Sequence, residues 1–304
     1  MKKSAIILFL LLLTANAFSQ KPEWDNLQTD DGEMAMRMPA GCYSNYYDRD
    51  GITVYESDGR NRYRLVEMRL ITCYRDRTLM SLEIYETKQA KPAAKVLQKN
   101  LQINGDELNL GGKFYAVEQT DKNENYIFKR RVIAGDKRVY IVTAATRGGE
   151  RDETMRTFLE SLQFTAADKS RSAKANENVV LISSLKSVEP EVGSEKDETE
   201  KTNAPFADEK KTEDLTLKRV VILSKPSPSY TRAARKNNVT GKVALWLTFG
   251  AEGRISKIQV ARDLPDGLLR EAVIAALRMK FLPEEENGEP RSRTKLVEYS
   301  FNIY

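Results

Sequence analysis

Alternating polar and apolar residues predict three strands near the C-terminal end of the chain. In the run KVALWLTF at residues 242–249, every second side chain is large and apolar, which is typical of a half-buried strand. A turn containing glycine at residues 251–254 joins it to a second alternating strand at residues 255–261. The closing run TKLVEYSFNIY alternates in the same way and predicts a last strand.

Two helices are predicted among these strands. Ser229 is expected to cap the first, over residues 230–236, and Asp266 to cap the second, over residues 267–279. The second helix has an apolar stripe that is expected to be buried, made up of Leu268, Leu269, Ala272, Val273, Ala276 and Leu277.

The larger N-terminal part, residues 22–165, mixes the two periodicities. Strand patterns lie on both sides of a helical pattern at residues 91–101, and a tight connection at residues 134–137 predicts a hairpin. A second helical pattern at residues 151–162 closes the region. The prediction is an α+β protein of two domains, each an antiparallel sheet with packed helices.

Short motifs follow one another through residues 216–304. They are Pro228-Ser229-Tyr230-Thr231, Ala234-Arg235, Gly241-Lys242-Val243, Glu252-Gly253-Arg254-Ile255, Met279-Lys280-Phe281-Leu282-Pro283 and Gly288-Glu289-Pro290. In order and spacing they resemble the C-terminal domain of the TonB energy-transducer family. The positions with a structural role in that motif are Pro228, Tyr230, Arg235, Gly241, Gly253, Phe281 and Pro283. Thr231 and Met279 stand where the family usually has proline and tryptophan.

The resemblance implies a small α/β sandwich whose sheet edge accepts a peptide of an outer-membrane transport receptor as an added strand. The candidate docking edge is the last strand, with Lys295, Leu296, Val297, Glu298, Tyr299, Ser300 and Phe301. Its side chains Val297, Tyr299, Phe301 and Ile303 are expected to be core, which leaves the backbone edge available. Another envelope protein is an alternative partner, and an open edge also permits a homodimer by strand exchange.

The N-terminal region resembles PsbP-like domains of exported proteins. The similarity rests on the opening MPAG, the strand RVYIVTAAT and the closing helix FLESLQF. It implies a binding or accessory module. A basic cluster around its hairpin is expected to be a solvated strand edge, and its members are Lys129, Arg130, Arg131, Lys137 and Arg138.

Residues 166–215 predict a disordered linker, because they are rich in Glu, Lys, Ser and Asp and nearly lack aromatic residues. An apolar island at residues 179–185 interrupts this composition. It is expected either to add a strand to one of the domains or to act as a short docking element.

Residues 1–19 are typical of a signal peptide. Lys2 and Lys3 precede an apolar run at residues 5–13 that is too short to span a bilayer. Cleavage before Phe18 or Gln20 is expected to give an exported protein in the periplasm of a Gram-negative-type bacterium. The alternative is an uncleaved anchor, which would make the protein an inner-membrane energy transducer of the TonB type.

Composition narrows the function further. The chain has no histidine, which excludes Ser-His-Asp and Cys-His catalysis and any metal site containing histidine. The carboxylates Glu67, Glu83 and Glu118 are scattered and suggest no acid–base pair. We therefore expect no enzymatic activity, no cofactor and no metal. The net charge of +5, from 49 basic and 44 acidic residues, gives no signal for nucleic acid.

Cys42 and Cys73 are the only cysteines of the chain. An even pair within one domain of an exported protein favours a disulfide. Two separate buried thiols are the alternative.

Overall fold

A computed structural model describes residues 24–55, 62–110, 114–147, 152–165, 179–194 and 217–303. The predicted signal peptide at residues 1–19 and the linker residues 166–178 and 195–215 lie outside these ranges. The described chain is mixed α+β, as predicted, and its sheets are mainly antiparallel.

The N-terminal domain consists of strands and two helices. In chain order they are β1 (Trp24–Gln28), β2 (Met34–Pro39), β3 (Ser44–Asp48), β4 (Ile52–Tyr55), β5 (Arg62–Arg75), β6 (Thr78–Glu86), α1 (Ala90–Asn100), β7 (Asp106–Glu107), β8 (Tyr115–Lys122), β9 (Ile127–Ala134), β10 (Arg138–Thr146), α2 (Glu153–Glu160) and β11 (Gln163–Phe164).

The large sheet has the strand order β3-β5-β6-β10-β9-β8-β7, with β4 paired to β5. One face packs against α2 and the small sheet that contains β1 and β2, through residues such as Met80 and Leu82. The opposite face packs against α1, through residues such as Tyr85 and Val139. Because both faces are covered, β6 is buried from Thr78 to Tyr85.

Two short strands lie in the region between the domains. β12 (Val179–Leu181) adds to β1 in parallel and leads into a 3-10 turn at Ile182–Ser184. β13 (Glu191–Ser194) then adds in parallel to a strand of the C-terminal domain. The prediction of a disordered linker is therefore wrong for residues 179–194, because their main-chain groups pair with both domains. Of the two roles left open for the apolar island, the structure selects the added strand.

The C-terminal domain contains the remaining elements. They are β14 (Leu217–Lys218), β15 (Val221–Ser224), α3 (Arg232–Lys236), β16 (Gly241–Phe249), β17 (Ile255–Arg262), α4 (Leu268–Leu277), β18 (Lys280–Leu282), β19 (Glu284–Glu286), β20 (Glu289–Arg291) and β21 (Arg293–Phe301). Its main sheet has the order β13-β17-β16-β21. The turn between β16 and β17 is the predicted hairpin, closed by the bond from Gly250 N to the carbonyl oxygen of Arg254 at 2.9 Å.

Both predicted helix caps in this domain are wrong. Thr231 caps α3, since its Oγ1 accepts a hydrogen bond from Ala234 N at 3.1 Å. Ser229 instead donates to the carbonyl oxygen of Thr53 in the N-terminal domain at 3.0 Å. Gly267, with φ of +81°, occupies the cap position of α4, while Asp266 Oδ2 accepts from Asn237 Nδ2 at 2.8 Å.

The two domains are packed together, and α4 lies between them. Leu268, Ala272 and Ala276 face the core of the C-terminal domain. Ile274 belongs to the core formed by α1 and the large N-terminal sheet. The helix is therefore buried on more sides than the predicted stripe, which omitted Ile274 and Ala275.

The cysteine pair forms the favoured disulfide. Cys42 and Cys73 are bonded, with their Cα atoms 5.4 Å apart. Cys73 is fully buried in the core that contains α2. The bond joins the loop after β2 to the end of β5 and is expected to stabilise the domain by about 3–4 kcal/mol in the chain-entropy model.

Candidate functional site: an open sheet edge

The last strand, β21, lies at one edge of the main C-terminal sheet. Its only strand partner among the described residues is β16, in a register that runs from Gly241 opposite Phe301 to Phe249 opposite Arg293. On the other side of the sheet, β17 is paired with the chain's own short strand β13, which is the opposite outer strand. Within the described sheet, β21 thus has one side of its backbone without a strand neighbour.

The side chains of β21 alternate as the sequence predicts. Val297, Tyr299 and Phe301 are buried in the C-terminal core. Leu296, Glu298 and Ser300 are exposed on the opposite face, and Lys295 is half-buried. Ile303 is 44% exposed, so its expected place in the core is wrong. It follows β21 and no longer shares the sheet's alternation.

An apolar pair lies on the exposed face beside this edge. Leu296 is directly opposite Trp246 of β16, and the two side chains are 40% and 36% exposed. Aromatic and aliphatic side chains in such cross-strand positions contact one another. The alternating pattern predicted the outward direction of Trp246, but gave no signal that it forms a patch with Leu296.

Basic side chains border the edge. Lys242 Nζ lies 2.8 Å from Glu298 Oε2, and this hydrogen bond lowers the pKa of the Glu298 carboxyl. Lys225 Nζ donates to the main-chain carbonyl oxygen of Glu298 at 2.8 Å and lies 4.8 Å from the centre of the Tyr299 ring. Burial lowers the pKa of Lys225, against the effect of the Glu298 charge. A lysine at this carbonyl protects an otherwise unpaired strand edge.

The motif residues are supports of the domain and do not line the edge. The Tyr230 ring meets Phe301 edge to face at 5.9 Å, and the Arg235 guanidinium lies over the Tyr230 ring at 5.1 Å. Phe281 meets Phe249 in the same way at 4.9 Å. Pro228 precedes this group in the extended segment before α3.

At three further motif positions, the backbone lies close to another part of the protein. Gly241 has φ of +141° and faces Leu264. Gly253 has φ of +79°, and a Cβ there would lie 2.9 Å from Tyr74 Cβ. The carbonyl oxygen of Pro283 accepts a hydrogen bond from Arg147 Nη1 at 2.7 Å. The last two contacts connect the C-terminal domain to the N-terminal domain.

The domains also share buried ion pairs that the sequence analysis missed. Glu83 of β6 contacts Arg278 Nε and Lys280 Nζ, each at 3.0 Å. Burial alone would raise the pKa of Glu83, but the charges of Lys280 and Arg278 outweigh it and lower the pKa to about 2. Burial lowers the pKa of Lys280.

A second buried carboxylate of the C-terminal domain also contacts the N-terminal domain. Glu285 of β19 accepts a hydrogen bond from the Tyr74 hydroxyl at 2.6 Å. It also contacts Arg147 Nη1 and Arg77 Nε, each at 3.3 Å. Burial raises the pKa of Tyr74, and the hydrogen bond to Glu285 adds to the effect.

The predicted solvated cluster of basic residues is wrong for three of its members. Arg130 is only 5% exposed and lies against the C-terminal domain. Arg131 contacts Glu118 at 2.6 Å, and Arg138 contacts Asp31 at 2.5 Å. Arg131 and Arg138 are parts of the folded structure because carboxylates of the N-terminal domain face them, and Arg130 is buried beside Arg278 of the C-terminal domain.

Neither a membrane-spanning helix nor a metal cluster is found in the part of the chain that the structure describes. No helix there is both long and apolar enough to cross a bilayer. No three Cys, Asp or Glu side chains come together there as metal ligands would.

Comparisons with known proteins give a family match for the C-terminal region. Residues 226–303 match the family model described as the Gram-negative bacterial TonB protein C-terminal. The solution NMR structure of the Pseudomonas aeruginosa TonB C-terminal domain is 28% identical, with a TM-score of 0.25, and the match covers 28% of this chain and 86% of that one. A crystal structure from Bacteroides thetaiotaomicron VPI-5482 is 10% identical, with a TM-score of 0.29, and the match covers 47% of this chain and 49% of that one. A search of curated proteins found no match.

The family model and the motifs agree on the same residues. The matched range begins at Pro226, just before the Pro228 motif, and ends at Ile303, after the last strand. It contains α3, β16, β17, α4 and β21, the elements that make up the sheet and its packed helices. Residues 226–303 of this chain are therefore similar to the TonB C-terminal domain family in sequence and motif order.

Proposed function

We propose that this protein is an exported periplasmic binding protein whose TonB-like C-terminal domain docks an extended peptide by strand addition at β21. The observation that supports this most directly is the position of β21, a nine-residue outer strand with one strand neighbour, whereas the outer strand at the opposite side, β13, has only four residues. Its outward side chains are exposed, so a peptide can approach without unfolding the core. Main-chain hydrogen bonds would provide affinity, and contacts with Trp246 and Leu296 would provide selectivity.

The proposed partner is a segment of an outer-membrane transport receptor, since the domain is similar to the TonB C-terminal family. Such a role is binding rather than enzymatic. The division into a signal peptide at 1–19, a domain at 22–165, a linker at 166–215 and a domain at 216–304 is part of the same proposal.

Site-specific cross-linking tests the docking edge. We would place the photoreactive p-benzoylphenylalanine at Ser300 of β21 in the full-length protein within its native envelope. The matched control is Gln259, which is also exposed but lies on β17, where β13 occupies the edge. We expect Ser300 to cross-link to an extended segment of an outer-membrane receptor and Gln259 to yield little of that product. Equal yields at both positions, or products without any outer-membrane protein, would contradict the proposal.

Methylated peptides test the main-chain pairing. A synthetic peptide of the cross-linked segment would be methylated at one amide nitrogen at a time, since a methylated amide cannot donate a hydrogen bond. Only alternate amides of an added strand face the sheet. We expect alternating losses of affinity, about fivefold at each amide that faces β21 and almost none at the others. A uniform loss along the peptide would exclude strand addition.

The mature N-terminus distinguishes the exported adaptor from an anchored energy transducer. Mass spectrometry of the purified protein is expected to find an N-terminus at Phe18 or Gln20. An intact Met1 together with inner-membrane fractionation would instead favour the transducer.

A further inference from the structure

One part of the interface between the two domains contains three buried cations. Arg130, Arg278 and Lys280 are only 5%, 6% and 3% exposed. Glu83 contacts Arg278 and Lys280, but Arg130 forms no ion pair with any described residue. Besides Glu83, the acidic group whose charge raises the pKa of Arg130 is Asp121, and Asp121 is exposed on β8. Three cations therefore share a single buried carboxylate.

The same place contains buried polar atoms without hydrogen-bond partners among the described residues. They are Ser81 Oγ, Arg130 Nε, Thr143 Oγ1, Arg278 Nη2 and Tyr299 Oη. Each of these atoms carries a hydrogen and can donate it. Buried donors are normally satisfied, and leaving one unpaired is costly.

The strand registers show that three of these residues, Ser81, Thr143 and Arg130, are neighbours. Thr143 of β10 is directly opposite Ser81 of β6 on one side and Arg130 of β9 on the other. Side chains directly opposite one another in a sheet are about 5 Å apart at Cβ. Glu83 is two residues from Ser81 on the same strand and so shares its face.

The C-terminal domain supplies the other half of the group. Arg278 follows α4 and contacts Glu83 directly. Tyr299 is buried in the C-terminal core, where burial raises its pKa and the charge of Arg278 opposes this effect. We call the six residues with donors the interface cluster, namely Ser81, Arg130, Thr143, Arg278, Lys280 and Tyr299.

We propose that the interface cluster binds a small monovalent anion of the chloride type between the two domains. Such an anion would accept hydrogen bonds from donors that have no partner and would offset the unpaired buried charge. A water molecule would satisfy donors but not charge. A divalent oxyanion would lose more hydration free energy on entering so buried a place, because the cost of burying an ion rises with its charge.

The anion would also strengthen the packing of the domains, because Arg130 comes from one domain and Arg278 from the other. Mass action then predicts that the full chain is more stable when the anion is present.

Bromide substitution tests the site directly. Crystals of the full-length protein in sodium bromide should show an anomalous peak within hydrogen-bonding distance of Arg130 Nε and Arg278 Nη2. Density for water alone, or no peak between these atoms, would overturn the proposal. A tetrahedral density from crystals in phosphate, without a bromide peak, would overturn the monovalent assignment.

Thermal unfolding provides a second readout in solution. At constant ionic strength, replacing sodium gluconate by sodium chloride should raise the Tm of the full chain by about 3 °C. Arg130→Met and the more conservative Arg130→Lys should reduce this rise, since both lose the Nε donor. Arg235→Met is the matched control, because Arg235 lies over Tyr230 away from the interface cluster, and it should retain the full rise. An equal Tm of the unmodified protein in the two salts would overturn the proposal whether or not the variants fold.

Discussion

The C-terminal domain has two sides with opposite properties. The docked side, which faces the N-terminal domain, contains Ile274, Arg278, Lys280 and Glu285, all of them buried. The open side is the edge strand β21 with Trp246 and its exposed face. On the docked side, polar groups are buried against the other domain. On the open side, backbone groups and apolar side chains remain accessible.

This difference separates the packing surface of the domain from its outer strand. The N-terminal domain covers the side of α4 and leaves the outer edge of β21 uncovered, so the packing surface and the proposed docking edge are different parts of the domain. The chain's own β13 covers β17, so the two outer strands of the described sheet are the four-residue β13 and the nine-residue β21. Changes on the docked side should therefore affect stability, and changes on the open side should affect binding.

The largest expected effect is that of Glu83→Gln on the docked side. The substitution leaves the buried charges of Arg278 and Lys280 without a carboxylate. Removing one partner of a buried ion pair typically costs about 3–5 kcal/mol in the free energy of unfolding. Urea unfolding at neutral pH would measure it. The matched control is Glu298→Gln on the open side, whose ion pair with Lys242 is exposed, and no measurable change is expected there.

If Glu83→Gln is no more harmful than Glu298→Gln, the docked side does not depend on its buried charges. That result would remove the distinction between the two sides.

Acid should weaken the docked side selectively. The pKa of Glu83 is lowered to about 2 in the folded protein, from an ordinary value of 4.5. A lowered pKa contributes stability above pH 4.5, and this contribution is lost as the pH falls towards 2. The loss is about 3 kcal/mol for a difference of this size. The measurement is the difference in unfolding free energy between the unmodified protein and Glu83→Gln at several pH values. The difference should shrink over this range, and a constant difference would contradict the assignment.

A smaller effect is expected from Gly253→Ala at the contact between the domains. Gly253 has φ of +79°, and an added Cβ would lie 2.9 Å from Tyr74 Cβ and 3.0 Å from Leu79 Cδ1. Strain and contact together should cost about 2–3 kcal/mol. Gly288→Ala is the control, since Gly288 has φ of +86° but no atom within 4 Å of the added Cβ. It should cost only about 1 kcal/mol. If urea unfolding gives equal losses of unfolding free energy for the two variants, the hairpin of β16 and β17 does not contact the N-terminal domain closely at Gly253.

The open side could be predicted from the sequence because its determinants are local. Alternation identified β16, β17 and β21, and the motifs from Pro228 to Pro290 identified the family. The position of β21 at the sheet edge follows from the order of these strands, since β21 is last in the chain and pairs with β16.

The docked side could not be predicted in the same way, because its determinants are distant in the chain. Ser229 has the residue type of a helix cap but donates to Thr53, which is 176 positions away. Arg130 resembles a surface residue, and its burial depends on a domain that follows much later. One local signal was present. Glu83 lies in the apolar run LMSLEIY, and a carboxylate on a strand buried on both faces requires a buried partner.

The smallest expected effect lies on the open side, at Lys225. Its ammonium donates to the main-chain carbonyl oxygen of Glu298, a group that an added strand would also need. Lys225→Met keeps an unbranched apolar side chain over the Tyr299 ring but removes this competing donor. Docked peptides should therefore bind about threefold more tightly, because one exposed hydrogen bond contributes about 0.5–1 kcal/mol. Isothermal titration of the cross-linked peptide against the full-length protein would measure the change. Lys242→Met is the control, since Lys242 contacts the carboxylate of Glu298 and not its main chain. An equal gain in both variants would mean that the peptide senses only the loss of positive charge, whereas a gain confined to Lys225→Met identifies the Glu298 carbonyl as part of the docking edge.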